Sequence, residues 1–481
     1  MAENITQILK ENIIQAVKDC YEKEFTDFEV EVPDNSSWGD YSSNVALQLA
    51  SVLKQGPQEI AKKLAYRFEE LNNEVTQDSF LSSIETAGIG FINFKISKNR
   101  LKDILNELSQ NPSNYGALDL AAKISPRGGY LQDKNVMVEY TDPNPFKLFH
   151  IGHLVPNAVG ESLSRLFCYS GAQVKRASYQ GDAGMHVAKS IWGMIAKLEE
   201  SDLTLDTVRK WDLKKRVEFL GQCYADGASV YKNALESASG EKDSEEILNK
   251  IKDINYMVYM SAQENLQERE DWEPQVNYKQ YLEGLDLDYD QIKTYYTAGR
   301  KWSLDYFETV YEILGTDFDF YYFESMTGEY GYKVVKEHLD QVFKEDQGAV
   351  IFKGDEFGLH TRVFINSQGL PTYEAKDLGL AIKKKEDFDY DFSYIITGAE
   401  QKAYFEVIFK ALEQIEPDLA EKHVHISNGM LDFAQGKMSS RTGNVISVEE
   451  LVSQLTQLAY EKTVQNISGV DELQKRVIAQ K

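Results

Sequence analysis

Apolar residues recur three and four apart from Ile5 to Tyr21, so the chain begins with an amphipathic helix. The same spacing predicts helices over Val45 to Leu53 and Pro57 to Leu71, and the segment from Ser83 ends in a strand, Phe91-Ile-Asn-Phe-Lys-Ile96. Asn111 to Gly129, rich in Gly, Pro and Ser, then interrupts the pattern. Residues 1–115 therefore read as a separate α/β module.

A second body begins near residue 130. The run Asn135-Val-Met-Val-Glu-Tyr-Thr141 predicts a buried strand, and a helix follows from about Gly152 to Tyr169. Strand followed by helix in this way predicts a doubly wound parallel sheet, where ligands gather at the carboxyl ends of strands. From roughly Ser190 to Phe318 the pattern turns helical and charged, as an insertion between two half-sheets would. Gly348 to Lys353, Thr361 to Ile365 and Asp391 to Ile396 read as strands that return the chain to the sheet. This body is expected to reach residue 455, with helix from Val448 onward.

A chain of 481 residues is long enough for two or three domains, each with its own core. Cys20, Cys168 and Cys223 have no paired spacing and the seven histidines are scattered, which argues against a disulfide framework or structural zinc and fits a reducing cytoplasm. No segment has the length of a membrane span, and the N-terminus lacks the basic start and apolar run of a signal peptide. The net charge of −25 sits badly with broad contact to a polyanion, so any nucleic-acid contact is confined to local patches.

Two short signatures carry chemistry. His150-Ile-Gly-His153 falls where the strand gives way to the helix, so the positive helix end and two imidazoles face whatever lies above the strand. Neutral imidazole N–H groups there can bond phosphate oxygens, and Gly152 lets a nucleobase or ribose lie against the backbone. Pro156 is expected to be tolerated in the first helical turn, whose donors are spare. Gly436-Lys-Met-Ser-Ser-Arg-Thr-Gly443 offers one ammonium, one guanidinium and three hydroxyls to an anion. It is no P-loop, because Leu431 stands where that pattern requires glycine. Each alone has a plainer reading, a structural or metal-binding His pair and a solvated turn. Their order and contexts point instead to adenylate formation from ATP.

The pair resembles the HIGH and KMSKS signatures of class I aminoacyl-tRNA synthetases, and neighbouring residues narrow the resemblance to the arginyl-tRNA synthetase family. Val138 to His153 is similar to that family's extended first motif, and Gly181-Asp-Ala-Gly184 to its Asn-Asp-x-Gly element. Leu370-Pro-Thr-Tyr-Glu-Ala-Lys-Asp377 resembles the Tyr-x-x-x-Asp segment, and Glu400-Gln401 with Tyr404-Phe405 resembles Gln-x-x-His-Phe. Trp38 to Asn44 and Gly90 to Phe94 resemble the family's N-terminal module, which the resemblance makes tRNA-contacting; residues alone would allow a plain accessory domain.

The resemblance implies a Rossmann-like, HUP-type catalytic domain. Its substrates would be ATP with Mg²⁺, L-arginine and tRNA(Arg), handled by a cytoplasmic monomer. It also implies a helical anticodon-binding domain after the catalytic one, of which residues 456–481 would be the start in a truncated chain. His150, His153, Lys147 and Lys437 are the implied catalytic residues. ATP would be held by His150, Gly152, His153, Gly429, Met430, Lys437, Met438, Ser439 and Ser440. Glu139, Asp142, Asn144, His153, Tyr373, Asp377 and Gln401 would bind arginine, with Glu139 and Asp377 on the guanidinium, Tyr373 at its wall, and Asn144 and Gln401 at the amino and carboxyl end. Carboxylates suit this task because a planar five-donor guanidinium is best met by bidentate anions. Residue by residue, Glu139 could equally be an ion-pair residue, Asp377 an ordinary helix acid and Lys147 a surface loop lysine.

Two departures stand out. Ser440 and Arg441 replace the second lysine and last serine of the second signature, and Lys147 matches the position where relatives lacking that lysine carry a compensating one. Val155 stands where many relatives have arginine. The alternatives are a catalytically silent RNA-binding paralogue and a small-molecule nucleotidyltransferase sharing the His-x-Gly-His turn. The second would explain neither the N-terminal module nor the set from Tyr373 to Gln401.

Overall fold

The computed structural model describes residues 5–33, 35–74, 80–110, 131–237, 242–266, 274–282, 285, 287–429, 448–467 and 469–480. The chain divides into two compact units, residues 1–133 with 168–172, and residues 134–167 with 173–481.

In the first unit, helices α1 (Ile5–Tyr21), α2 (Val45–Leu53) and α3 (Pro57–Glu74) pack on strands β1 (Val30–Glu31), β2 (Tyr41–Ser43), β3 (Leu81–Ala87) and β4 (Phe91–Ile96), and α4 (Lys98–Gln110) follows. The sheet is antiparallel in the order β1-β2-β4-β3. Leu9, Ile13 and Val17 of α1 meet Ile60, Leu64 and Phe68 of α3 in one core with Ile92 and Phe94 of β4. The four-residue steps of both helices put those side chains on single faces.

The second unit is built on a five-stranded, wholly parallel sheet. It runs through β5 (Asn135–Glu139), α5 (Ile151–Tyr169), β6 (Gln173–Gln180), α6 (Met185–Glu200), α7 (Leu205–Arg209), α8 (Leu213–Ser237), α9 (Lys242–Leu266), α10 (Tyr289–Leu314), β7 (Phe320–Phe323) and α11 (Glu324–Glu337). After these come β8 (Lys344–Asp346), β9 (Ala349–Phe352), β10 (Arg362–Ile365), α12 (Tyr373–Asp387), β11 (Phe392–Gly398), α13 (Lys402–Ile415), α14 (Pro417–Ala420), β12 (His423–Asn428), α15 (Val448–Asn466) and α16 (Glu472–Gln480). The parallel order is β12-β11-β5-β6-β7. The chain therefore steps outward from β5 in one direction and later in the other. That reversal opens a crevice above the carboxyl ends of β5 and β11, the usual ligand site of such sheets. Val136, Met137 and Val138 of β5 are fully buried, as a central parallel strand covered on both faces requires.

Two expectations are corrected. β9 and β10 do not rejoin the parallel sheet; with β8 they form a separate antiparallel sheet. Phe352 and Arg362 bound a connection too short for a parallel crossover, which needs about a dozen residues, so the two strands fold back on each other. Pro156 lies inside α5 beyond the first turn, where it removes the i+4 donor of the Gly152 carbonyl.

Glycines set the closest helix contacts. A Cβ at Gly331 of α11 would collide with the Ala375 carbonyl of α12, and one at Gly379 of α12 with the Thr327 carbonyl of α11. The two helices thus cross backbone against backbone, which fixes where α12 presents its acids.

Candidate active site

β5 ends at Glu139, and the chain leaves the sheet by a strained path. Thr141 (φ 80°), Asp142 (φ 44°) and Phe146 (φ 68°) all occupy backbone space that L-residues avoid. Side-chain bonds hold them there. Thr141 Oγ1 accepts from Asn157 Nδ2 at 2.9 Å, Asp142 Oδ1 accepts from the Tyr179 N–H at 2.7 Å, and Ser303 Oγ accepts from the Phe146 N–H at 2.9 Å. Strain fixed so firmly is characteristic of functional sites. Here it brings Asp142 to Tyr179 of β6 and Asn144 against Gly181, just past the carboxyl end of that strand.

The two histidines form one unit at the head of α5. Their rings stack with centroids 4.1 Å apart. His150 Nδ1 accepts from the Gly152 N–H at 3.0 Å, and His153 Nδ1 accepts from the His150 N–H at 3.2 Å. Each imidazole thus keeps Nε2–H as its donor. Burial first, then the Lys147 ammonium, holds His150 below the usual imidazole range; for His153 burial acts first, then His150 and Lys147. Both are neutral donors at pH 7. Gly152 itself is exposed, and a Cβ there would lie 2.7 Å from the His150 ring. The Lys147 ammonium stands 5.1 Å from the centre of the Tyr224 ring.

Beside them lies a pocket crowded with carboxylates. Glu139 and Lys384 of α12 form a buried pair at 2.7 Å. Glu324, first residue of α11, pairs with buried Lys376 at 2.6 Å, and Lys376 also donates to the Ala183 carbonyl at 3.1 Å. Glu374 takes Arg362 at 3.2 Å. Asp377 has no such partner among the described residues and instead accepts from Tyr404 Oη at 2.5 Å. Burial, with Glu139, Glu324 and Glu374 nearby, raises the Asp377 carboxyl well above its usual range against the opposing bond from Tyr404. Asp142 is raised likewise, by burial and then by Glu139. Glu139 and Asp377 line one cavity of about 10 Å³, closed by Lys384, His423, Leu380, Ile395 and Phe405.

The other expected residues fall around this pocket. A Cβ at Gly181 would collide with Asn144 Oδ1 and lie 2.9 Å from Glu324 Oε1, so the Asn144 carboxamide sits against the acid cluster. Tyr373 opens α12, is 55% exposed, and has its hydroxyl raised by Glu324 first and burial second. Gln401 is exposed at the head of α13, beyond the end of β11. Asp182 is structural: it accepts from Arg300 Nε, the Ser325 N–H and Ser325 Oγ, each at 2.9 Å, and so ties β6 to α10 and α11.

Gly429 is exposed just past β12, on the same carboxyl edge of the sheet as Gly152. Met430, Lys437, Met438, Ser439 and Ser440 lie outside the described residues. Among the described residues no three His, Cys, Asp or Glu side chains converge as metal ligands would, and no helix is long and apolar enough to cross a membrane.

Sequence reasoning missed Glu324, Lys376 and Lys384. An acid at a parallel strand's carboxyl end was the available signal for Glu324; the lysines look like ordinary helix surface until the fold turns them inward.

Comparison with known proteins bears on the family and the fold. Residues 5–96 match the model of the arginyl tRNA synthetase N terminal domain, and residues 121–224 and 230–480 match that of the class I (R) tRNA synthetase catalytic domain. The arginine–tRNA ligase of Clostridium perfringens is 26% identical over 475 residues, covering 97% of this chain and 72% of that protein. That of Clostridioides difficile is 27% identical over 479 residues, covering 96% and 72%. In fold, the chain is similar to Thermus thermophilus arginyl-tRNA synthetase, with TM-score 0.54, 19% identity, and 99% and 73% of the two chains covered. The Plasmodium falciparum arginyl-tRNA synthetase gives TM-score 0.54 at 18% identity, covering 99% and 72%.

Proposed function

Because the chain belongs to the arginyl-tRNA synthetases, we propose that it is an arginine–tRNA ligase, activating L-arginine with ATP and passing the arginyl group to tRNA(Arg). The observation that carries the reading is a carboxylate-rich pocket beside two neutral imidazole donors, both on the carboxyl edge of one parallel sheet.

ATP lies with its adenine near Gly152, Gly429 and Met430. The Nε2–H groups of His150 and His153, the Lys147 ammonium and the positive end of α5 meet the phosphates. Lys437, Met438, Ser439 and Ser440 are assigned to the triphosphate by their sequence match alone. Mg²⁺ bound with the triphosphate would add charge neutralisation. Arginine enters with its guanidinium toward Asp377 and the Glu139–Lys384 pair behind it, Tyr373 at the wall, and its amino and carboxyl end toward Asp142, Asn144, His153 and Gln401. Its carboxylate attacks the α-phosphorus, pyrophosphate leaves, and the 2′-hydroxyl of the terminal adenosine of tRNA then takes the arginyl group from the adenylate. Nothing covalent forms on the protein; positioning and charge stabilisation lower the barrier. A pocket of buried carboxylates rejects citrulline by leaving its charges unpaired, so no editing site is needed. The reading places the enzyme in the cytoplasm.

ATP–pyrophosphate exchange against each of the twenty amino acids, with and without total tRNA, tests this. Exchange should appear with arginine alone and should require tRNA, as the family resemblance implies. Exchange driven by another amino acid, or none with arginine and tRNA together, overturns it.

A further inference from the structure

Around α12 the described residues bring together five carboxylates, Glu139, Asp142, Glu324, Glu374 and Asp377, and three cations in ion pairs with them, Lys384, Lys376 and Arg362. The pairing is selective. Glu139, Glu324 and Glu374 are buried and each has its cation, whereas Asp142 and Asp377, largely buried but partly open, have hydrogen-bond donors and no paired cation among the described residues. The pocket thus presents to its interior the two acids that the protein has not neutralised. Arginine brings two positive groups, the guanidinium and the α-ammonium, which matches that excess.

An excess of buried negative charge is costly without a counter-ion, and in its absence a carboxylate takes up a proton. Resting on the arginine reading of this pocket, we propose that Asp142 and Asp377 hold a proton in the free enzyme and release it to solvent when arginine binds, so that arginine binds more tightly as pH rises. The carboxylic O–H breaks, its proton goes to the buffer, and the carboxylate left behind pairs with a substrate cation. Burial and the neighbouring Glu139 push both acids upward, in the direction this needs. Glu139 acts on both acids, so neither ionises independently of that carboxylate.

Of the other groups facing the pocket, Glu324 is also raised by burial, but the Lys376 ammonium 2.6 Å away favours its charged form; the histidines and tyrosines cannot supply the proton. His150, His153 and His186 are held below the imidazole range by burial and by Lys147, so they are already neutral. His423, behind the cavity, is pushed down to about 3 by burial and Lys384. Tyr179, Tyr373 and Tyr404 are all raised and stay protonated. The sign follows. A raised acid is protonated below its shifted value, and binding requires the ionised form. Affinity must climb as pH rises and level off once both acids are ionised.

Titration calorimetry of L-arginine into the 481-residue chain with tRNA present, in HEPES and in Tris, reads the proton directly from the difference in heat. Proton release should be measurable at pH 7 and decline as pH rises, with affinity rising up to about tenfold per pH unit below the plateau. Asp142→Asn removes one of the repelling charges and should abolish most of the release at pH 7. Binding with no proton exchange and a flat pH profile overturns the proposal while leaving the arginine site standing. Failure of arginine to bind at any pH overturns the site reading, and this inference with it. Release unchanged in both Asp142→Asn and Asp377→Asn would place the proton elsewhere and also overturn it.

Discussion

Lys384 and Glu139 meet at 2.7 Å with side chains 1% and 4% exposed, so neither charge could be tolerated there alone. Breaking a buried pair by removing one partner typically destabilises by about 3–5 kcal/mol, whereas replacing both with apolar groups can be nearly neutral. Lys384→Met should therefore lower stability by that amount in urea unfolding, and Lys384→Met with Glu139→Leu should recover most of it. A double variant as unstable as the single would mean that Lys384 acts through packing. The same pair shows what a sequence hides at this scale. His150, Asp377 and Glu139 stand inside recognisable motifs, but Lys384 lies 245 residues from Glu139 and Lys376 lies 52 from Glu324. Only the folded sheet reveals that the acids named from sequence fall into two kinds, those already neutralised and those left open.

Elements were legible wherever a local pattern decided them. The apolar spacing marks α1 and α2 to the residue, and α5 to within one residue at its start. The strand expected to reach Thr141 stops at Glu139 because positive φ at Thr141 and Asp142 ends the extended backbone, which no propensity announces. β9 and β10 were visible as strands, but their partners were not, since pairing depends on connection length and on what covers each face. The crossing of α11 with α12 was invisible as well, because a helical glycine signals nothing until another backbone is seen against it. Gly331→Ala tests that contact. The new methyl meets the Ala375 carbonyl, a backbone atom that cannot rotate away. Overpacking of this kind destabilises by about 1–3 kcal/mol. Calorimetric unfolding should show a loss in that range or larger, and Gly379→Ala, facing the Thr327 carbonyl, should behave alike. An unchanged melting temperature for both variants would mean that the helices are free to separate.

Over the whole molecule the dominant quantity is charge, −25 on 481 residues. A polyanion approaching such a surface is repelled at long range, and attraction must come from local patches. The acids are divided between two roles. Glu139, Glu324 and Glu374 are matched inside the fold, while others such as Asp206, Glu246 and Glu356 sit at the surface in exposed pairs that contribute little to stability. Non-specific RNA binding releases counter-ions in proportion to the phosphates neutralised, with a slope of about −0.7 per contact for single strands. With 77 acidic residues against 52 basic ones, repulsion of the RNA backbone should hold this chain to no more than about three such contacts. Binding to a homopolymeric RNA should accordingly be undetectable at physiological salt and show a slope shallower than about −2 in log affinity against log salt at lower salt. Binding to tRNA(Arg) should survive an excess of that homopolymer. A slope of about −6 or steeper for the homopolymer would reveal an extended basic track, and RNA selection by repulsion of everything but the cognate tRNA would then be the wrong account of this acidity.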